Sequence, residues 1–294
     1  MVPIIKGIFA PIPTPFIDDK VAWDKLKGNL AKWGKSSLAG LVVLGSNGEF
    51  ALLSYEEKVA MVRFVRENLP KDKLVIAGTG CETTAETIRL TKDCAAAGAD
   101  AALVINPSFY MGSYTDAVLK VHYTAVADAS PIPLMVYNMP RNTGINLSSQ
   151  LVIELSQHPN IVGVKDSSGN IVQIAEMCAG TADDFAVFAG SGSFLLATLA
   201  VGGVGGTLAV ANIMPEESVK LVELFYAGKI EEAQALQRLL LAPNNAVTAK
   251  FGISGLKSAL DYLGYYGGNV RPPLLPLTQP EVAKLHEILR QAGL

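Results

Sequence analysis

Eight short apolar runs alternate along the chain with longer segments of helical periodicity, and this alternation limits the fold more than any other feature. The runs are almost continuously apolar, as strands are when both faces of their sheet are covered. Eight strand and helix units over roughly 215 residues predict a (β/α)8 barrel, and a doubly wound open sheet is the alternative. The runs lie at 7–12, 40–46, 74–79, 101–107, 133–139, 161–167, 185–191 and 205–211.

The segments between the runs carry apolar residues at three- and four-residue spacing, which is typical of helices. Residues 55–68 and 84–97 show the pattern well, with Ser54 and either Thr83 or Thr84 placed as N-caps. After Pro215 the pattern is helical throughout. We therefore predict a barrel carrying the active site over residues 1–224 and a C-terminal helical region over residues 225–294.

The uncharged tract 185–215 could be mistaken for a membrane span. Its clustered glycines favour strand, turn, helix and strand instead, and they would let the last strand pack closely against its neighbours. The formal net charge is −3 and the basic residues are scattered, so neither nucleic acid nor an anionic membrane is an expected partner.

Localisation is predicted to be cytoplasmic. The three cysteines, Cys81, Cys94 and Cys178, lie far apart, which suits a reducing compartment and argues against a disulfide framework. The first sixteen residues lack the pattern of a signal peptide.

Lys165 directly follows the apolar run 161–164 and precedes a polar turn. In a barrel of this kind the C-terminal ends of the strands surround the active site. The adjacent Asp166 should point to the opposite face of the strand, so we do not expect it to pair with the lysine. Burial disfavours an ammonium ion, and a neutral lysine amine forms a Schiff base with a carbonyl. The alternative is a lysine whose ammonium lies in water at a strand end.

Tyr137 ends the preceding predicted strand, where a phenol could carry the protons that imine chemistry moves. The alternative is an aromatic side chain buried for packing. The run Gly-Ser-Asn-Gly-Glu at 45–49 predicts a tight turn with backbone N–H groups and a hydroxyl, which suits a small carboxylate. An ordinary loop is the alternative there.

Three segments, taken together, resemble the dihydrodipicolinate synthase and N-acetylneuraminate lyase family of Schiff-base aldolases, which handle pyruvate. They are GSNGEF (45–50), VYNMPRNTG (136–144) and GVKDSSGN (163–170). The resemblance runs nearly end to end and includes residues 246–277. Within the family the chain is most similar to the 4-hydroxy-2-oxoglutarate aldolase branch, through segments such as ADASPIP (127–133) and PNNAVTAKFGI (243–253).

The resemblance implies that Lys165 forms an imine with C2 of a 2-oxo acid and that Tyr137 moves the protons. It also implies that Ser46 and Asn47 hold the carboxylate and link Tyr137 to solvent. The further substrate contacts that it implies are Ser167 for the distal part, Gly190 as a hydrogen-bond acceptor, Thr207 for the methylene side, and Asn142.

No cofactor is implied beyond the covalent imine, and no metal. The histidines His122, His158 and His286 show no ligand spacing, and His122 and His158 are interpreted as helix-surface residues. The expected partner is a small 2-oxo acid. By resemblance the chain is expected to form a homotetramer built from dimers.

One departure from the family pattern bears on the substrate. In the family's synthases an arginine directly precedes the Thr-Gly pair, whereas here Asn142 does and Arg141 lies one residue earlier. Such a shift re-aims a long side chain on which carboxylate recognition depends. We therefore expect a lyase that cleaves 4-hydroxy-2-oxoglutarate, or a related 4-hydroxy-2-oxo acid, to pyruvate and an aldehyde such as glyoxylate. The alternatives are a synthase that condenses pyruvate with aspartate semialdehyde and a non-catalytic 2-oxo-acid-binding protein.

A second departure lies in NPSFYMG (106–112), where family members place a tyrosine two residues after the proline. That tyrosine reaches across a subunit interface and continues the proton relay. Here the position is Phe109, and Tyr110 follows. Either Tyr110 takes over the relay, or the relay is shortened and solvent serves instead.

Overall fold

The computed structural model describes residues 5–294, and a closed barrel of eight parallel strands forms its centre. The strands are β1 (Gly7–Pro11), β2 (Phe16–Ile17), β3 (Lys20–Val21), β4 (Gly40–Val43), β5 (Leu74–Gly78), β6 (Ala101–Ile105), β7 (Leu134–Asn138), β8 (Ile161–Asp166), β9 (Ala186–Ala189) and β10 (Gly205–Thr207). β2 and β3 form a separate antiparallel ribbon, and β1 closes the barrel by pairing with both β4 and β10. The predicted barrel and its eight strands are confirmed, and the open sheet is excluded.

Helices surround the barrel and continue beyond it. They are α1 (Trp23–Trp33), α2 (Tyr55–Asn68), α3 (Thr84–Ala96), α4 (Asp116–Ala129), α5 (Pro140–Thr143), α6 (Ser149–Leu155), α7 (Ile171–Gly180), α8 (Leu195–Ala200), α9 (Pro215–Tyr226), α10 (Ile230–Asn245), α11 (Gly252–Tyr262) and α12 (Gln279–Gln291). Ser54 caps α2, as predicted, and it does so in a capping box with Glu57. Thr83, rather than Thr84, caps α3 by accepting from the Glu86 N–H.

Two apolar layers position the site. Inward-facing side chains fill the barrel, with the rings of Phe9 and Phe188 packed at a centroid distance of 5.7 Å. Outward-facing side chains of the same strands pack against the helices. The alternation along each strand therefore decides which residues reach the barrel axis and which reach the helical layer.

The uncharged tract 185–215 folds into β9, α8 and β10, so its predicted strand, turn, helix and strand are confirmed. A Cβ atom on Gly205 would lie 2.1 Å from the carbonyl oxygen of Gly7, which explains why glycine stands where β10 meets β1. No helix within residues 5–294 combines the length and the apolar character that crossing a bilayer requires.

The C-terminal helices extend the barrel, as predicted. A π-helical turn, Ala246–Lys250, joins α10 to α11, and α11 in turn packs against α12. The proposed boundary at residue 224 falls inside α9, and the division into two regions stays a prediction. Residues 1–4 of the first predicted region lie outside the described residues.

The interpretation of His122 as a helix-surface residue is wrong. His122 lies on α4 and is buried, and its Nδ1 atom lies 2.9 Å from the Thr84 hydroxyl of α3. The packing of α3 against α4 covers the ring. His158 lies in the turn after α6, where its Nε2 atom is 3.1 Å from an Asp128 carboxylate oxygen.

Candidate active site

Lys165 and Tyr137 are direct register partners at the C-terminal ends of β8 and β7. Both are buried, with 4% and 5% of their surfaces exposed, and Lys165 Nζ lies 4.0 Å from the centre of the Tyr137 ring. Parallel pairing places side chains of the same register on the same face of the sheet, here the barrel mouth. The interpretation of Lys165 as a solvated surface lysine does not hold, and the role of Tyr137 as a proton carrier stays a prediction.

Among the described residues, no carboxylate lies within salt-bridge distance of Lys165. Asp166, the adjacent residue, points away from the barrel axis as predicted. Its carboxylate accepts hydrogen bonds from the Asn138 amide at 2.6 Å and from the Ser168 N–H at 2.9 Å. The lysine therefore enters the cavity without a carboxylate partner from this part of the chain.

The electrostatics of Tyr137 follow from this neighbour. Burial raises the pKa of the Tyr137 phenol, but the Lys165 ammonium and the adjacent Ser46 hydroxyl stabilise the phenolate more strongly, so its pKa lies below the ordinary value. A phenol that gives up its proton more readily is suited to exchanging protons with a bound substrate.

The turn after β4 contributes Ser46 and Asn47 to the cavity. Two non-glycine residues flank it in the left-handed conformation, Leu44 with φ 63° and Glu49 with φ 57°. Such conformations cost energy and persist where the surroundings enforce them, often at functional sites. The Thr14 hydroxyl helps to hold this turn in place, because it donates a hydrogen bond to the Gly48 carbonyl oxygen at 2.7 Å.

A buried polar network lies directly behind the Lys165 and Tyr137 pair. Asn138 and Asp166 are also register partners, and they point toward the helical layer. The side-chain oxygen of Asn138 accepts a hydrogen bond from the Leu147 N–H at 3.0 Å. Its NH2 group donates to Asn146 Oδ1 at 2.8 Å, in addition to its bond to Asp166. These contacts hold the two strand ends, and with them the two side chains in the barrel mouth.

Gly190 follows β9, and its N–H donates to the Asp166 carbonyl oxygen at 2.7 Å. A Cβ atom at this position would lie 1.9 Å from Ser167 Oγ, so only glycine fits. Ser167 Oγ is buried, and it lies close enough to the Tyr137 phenol to help lower the pKa of that group. Ser167 therefore belongs to the polar surroundings of Tyr137 in the barrel mouth.

The barrel mouth opens into a cavity of about 570 Å³. All eight residues predicted to act on or bind the substrate line it: Ser46, Asn47, Tyr137, Asn142, Lys165, Ser167, Gly190 and Thr207. The charged side chains that line it are Lys165 and Arg141, and none of its described lining residues is acidic.

The sequence interpretation missed the outer wall of this cavity, which comes from the C-terminal region. The π-helical turn and the start of α11 contribute Val247, Thr248, Ala249, Phe251, Gly252, Ile253 and Ser254, with Asn245 and Leu274 beside them. Most of these residues lie within the segment 246–277 that carried part of the family resemblance. No site residue was named there, because a helical pattern alone does not show which face meets the barrel.

Phe109 and Tyr110 do not line the cavity. Their rings are 76% and 66% exposed and pack edge to face at 5.0 Å. The Glu82 carboxylate holds their loop by accepting from the N–H groups of Ser108 and Phe109. A relay role at a subunit interface stays a prediction for both residues.

No cluster of three or more histidine, cysteine, aspartate or glutamate side chains between residues 5 and 294 is arranged to hold a metal ion. The polar groups that line the cavity are those of Lys165, Tyr137 and Arg141, together with hydroxyl and amide side chains.

Comparisons with known proteins agree with this geometry. The model of the dihydrodipicolinate synthetase family matches residues 4–292. The chain is 38% identical to the "Probable 4-hydroxy-2-oxoglutarate aldolase, mitochondrial" of Emericella nidulans, over 99% of this chain and 96% of that protein. It is also 38% identical to the 4-hydroxy-tetrahydrodipicolinate synthase of Methanothrix thermoacetophila, over 97% and 96%.

Among solved structures, one similar chain is a prophage protein of the dihydrodipicolinic acid synthase family from E. coli K12, in complex with pyruvate. It superposes with a TM-score of 0.93 at 31% identity and covers 99% of this chain and 100% of its own.

Proposed function

The chain belongs to the dihydrodipicolinate synthetase family of Schiff-base aldolases and is a lyase, and from this premise we propose that it cleaves 4-hydroxy-2-oxoglutarate or a closely related 4-hydroxy-2-oxo acid. The products would be pyruvate and an aldehyde, which is glyoxylate for 4-hydroxy-2-oxoglutarate. The observation that carries the proposal is the buried Lys165, which shares its register with Tyr137 in a cavity and has no carboxylate partner among the described residues.

In the proposed mechanism the neutral Lys165 amine attacks C2 of the substrate, and loss of water leaves an imine. Tyr137 supplies and removes the protons of this step. The 4-hydroxyl then gives its proton to the Tyr137 phenolate, the C3–C4 bond breaks, and its electron pair enters the protonated imine to give an enamine as the aldehyde leaves. Protonation of the enamine at C3 and hydrolysis of the imine release pyruvate and restore the lysine.

Other residues of the cavity would hold the substrate. Ser46 and Asn47 would bind the carboxylate next to C2, since the first N–H groups of a helical turn have no acceptor within that turn. The Ser167 hydroxyl would bind the distal part, Gly190 would accept a hydrogen bond, and Thr207 would contact the methylene side.

No metal and no cofactor besides the covalent imine is proposed to take part. Aldolases of this family use Schiff-base chemistry without a metal cofactor. The imine performs the same role as a metal would, because it accepts the electron pair of the broken bond.

The charge of the cavity supports a substrate with two carboxylates. Its charged lining groups are Lys165 and Arg141, and within the described residues no acidic side chain opposes a second anionic group. 4-Hydroxy-2-oxoglutarate carries a carboxylate at each end. Asn142, which also lines the cavity, would contact the distal half of the molecule.

A synthase that condenses pyruvate with aspartate semialdehyde is the second candidate. It is supported by the position of Arg141 in the cavity lining, since an arginine there could bind the carboxylate of the semialdehyde. The Methanothrix relative, equally identical to this chain, carries that name.

Borohydride trapping of pyruvate tests the Schiff base. We expect the wild-type chain to gain one reduced pyruvyl group on Lys165, detected by intact-protein and peptide mass spectrometry. Lys165→Ala should lose the adduct, while Lys220→Ala, which changes an exposed lysine of α9, should retain it. If the wild type binds pyruvate but traps none, the chain is a non-catalytic 2-oxo-acid-binding protein.

A coupled assay separates the two enzymatic candidates. Pyruvate release from a panel of 4-hydroxy-2-oxo acids would be followed with lactate dehydrogenase, beside a condensation assay with pyruvate and aspartate semialdehyde. Fast cleavage of 4-hydroxy-2-oxoglutarate with negligible condensation is the expected outcome. Efficient condensation that is lost in Arg141→Ala would instead support the synthase.

We also propose a cytoplasmic homotetramer. The large apolar side chains of Phe109, Tyr110, Met111, Val118 and Val121 are all exposed and lie close together in the sequence, and monomeric proteins rarely expose large apolar patches. Sedimentation of the wild type beside Phe109→Ser would test it, since the variant should dissociate at concentrations at which the wild type remains assembled. Three widely spaced free cysteines support a reducing compartment, although the Emericella relative is described as mitochondrial.

A further inference from the structure

A buried ion pair joins the turn of Ser46 and Asn47 to the C-terminal region. Glu49 lies at the end of this turn, and Lys257 lies on α11. A Glu49 carboxylate oxygen is 2.5 Å from Lys257 Nζ, and the exposure of the two side chains is 0% and 1%. Neither residue lines the cavity, so the proposed mechanism leaves both charges without a role.

The surroundings hold each partner in one place. Lys257 Nζ donates to the Asn269 carbonyl at 2.6 Å and lies 4.5 Å from the centre of the Phe16 ring. The second carboxylate oxygen of Glu49 accepts a hydrogen bond from the backbone N–H of Arg271 at 2.8 Å. Two parts of the C-terminal region, α11 and the loop that carries Asn269 and Arg271, thus contact Glu49 or its partner.

Stability alone is a weak explanation for such a pair. Removing two charges from water is expensive, and replacing a buried ion pair by apolar residues is often neutral or stabilising. What the pair does provide is a fixed position for Glu49. This residue has a strained left-handed backbone, with φ 57°, and directly follows Ser46–Gly48.

The same helix that carries Lys257 also lines the cavity. The first turn of α11 supplies Gly252, Ile253 and Ser254 to the outer wall. One rigid element therefore connects the outer wall to the inner turn.

We propose that Glu49 and Lys257 are positioning residues for recognition of the substrate's carboxylate. Their ion pair holds the Ser46–Gly48 turn in its binding conformation and sets its distance from the wall formed by α11. The proposal rests on the proposed function, since it assumes a 2-oxo acid whose carboxylate binds at this turn.

The test compares Glu49→Gln, Lys257→Met and the double variant with the wild type. The control, Asp100→Asn, removes a partly buried ion pair with Arg66 that lies before β6, at the opposite end of the barrel. The readouts are the pyruvate concentration that gives half-maximal borohydride trapping, KM and kcat with 4-hydroxy-2-oxoglutarate, and the free energy of unfolding in urea.

Each Glu49 or Lys257 variant should raise KM and the half-maximal pyruvate concentration about tenfold or more. A turn that has moved would lose a hydrogen bond to the substrate's carboxylate, and a hydrogen bond to a charged group contributes at least that much to binding. The effect on kcat should be smaller, and Asp100→Asn should bind pyruvate as the wild type does. The single variants leave an unpaired buried group and should lose stability, whereas the double variant should recover much of it.

The double variant decides between positioning and mere stability. Weak pyruvate binding that persists after stability has recovered supports the proposal. Pyruvate binding that recovers together with stability, or that is unchanged in every variant, overturns it while leaving the proposed function intact. If the wild type traps no pyruvate, the proposed function fails, and this inference fails with it.

Discussion

Replacing Asp166 by asparagine should destabilise the protein severely although it changes neither size nor shape. The carboxylate of Asp166 is fully buried and accepts from Asn138 Nδ2 at 2.6 Å, Ser168 N at 2.9 Å and Ser168 Oγ at 2.5 Å. An amide keeps only one oxygen. If that oxygen faces Ser168, the new NH2 group faces the Asn138 NH2 group, so a bond is lost and two donors meet.

The magnitude follows from these contacts. A hydrogen bond to a charged group contributes about 1.5–3 kcal/mol, and a buried donor left without an acceptor costs about 1–3 kcal/mol. Some relaxation reduces the sum, so we expect Asp166→Asn to lower the free energy of unfolding by about 2–4 kcal/mol. Because Lys165 precedes Asp166 on β8, kcat should fall as well.

Urea unfolding followed by circular dichroism measures the effect. Asp128→Asn is the control, since its exposed carboxylate contacts only the His158 ring among the described residues and should change stability by less than about 0.5 kcal/mol. The double variant Asn138→Asp with Asp166→Asn places a carboxylate opposite the new amide and should recover part of the loss. A loss below about 1 kcal/mol for Asp166→Asn would refute the reasoning.

Three further predictions concern single positions. The earliest rise of tyrosinate absorbance on raising the pH should begin below the ordinary tyrosine pKa of about 10 and vanish in Tyr137→Phe. In Lys165→Ala it should move to higher pH, because the ammonium no longer opposes the effect of burial on the Tyr137 pKa; identical curves for the wild type and Tyr137→Phe would contradict this. Gly190→Ala should lower the free energy of unfolding in urea by about 1–3 kcal/mol and weaken pyruvate trapping, because the new Cβ atom would lie 1.9 Å from Ser167 Oγ. Normal trapping in this variant would show that the loop adjusts freely. Ser54→Ala removes the capping box of α2 and should cost about 1 kcal/mol in the same assay with kcat unchanged; an unchanged midpoint would mean that tertiary packing alone holds this helix end.

Features with a local signal could be predicted from the sequence. The continuously apolar runs predicted all eight strands, because both faces of each strand are covered. Ser54 and Thr83 marked helix starts, because a capping side chain acts on residues only two or three positions away. Lys165 and Tyr137 could be placed together because parallel strands of a barrel end at the same rim.

Features that depend on distant packing could not be predicted in this way. Glu49 reads as part of a loop and Lys257 as part of an amphipathic helix, and nothing local to either residue indicates that they meet. The burial of His122 has the same origin, because the face of α4 that α3 covers is decided by the fold. The cavity wall at Thr248 and Phe251 depends on how the C-terminal helices return to the barrel mouth.

The closing seam of the barrel has a consequence for synthesis on the ribosome. β1 is made first and pairs on one side with β4, but its other side pairs with β10, where Gly7 is in register with Gly205. Until residue 207 has left the exit tunnel, β1 therefore presents a row of free backbone donors and acceptors, which is a template for pairing with other nascent chains. A translation product that stops short of β10 keeps this exposed edge permanently, so we expect premature termination to yield aggregates rather than a smaller working barrel.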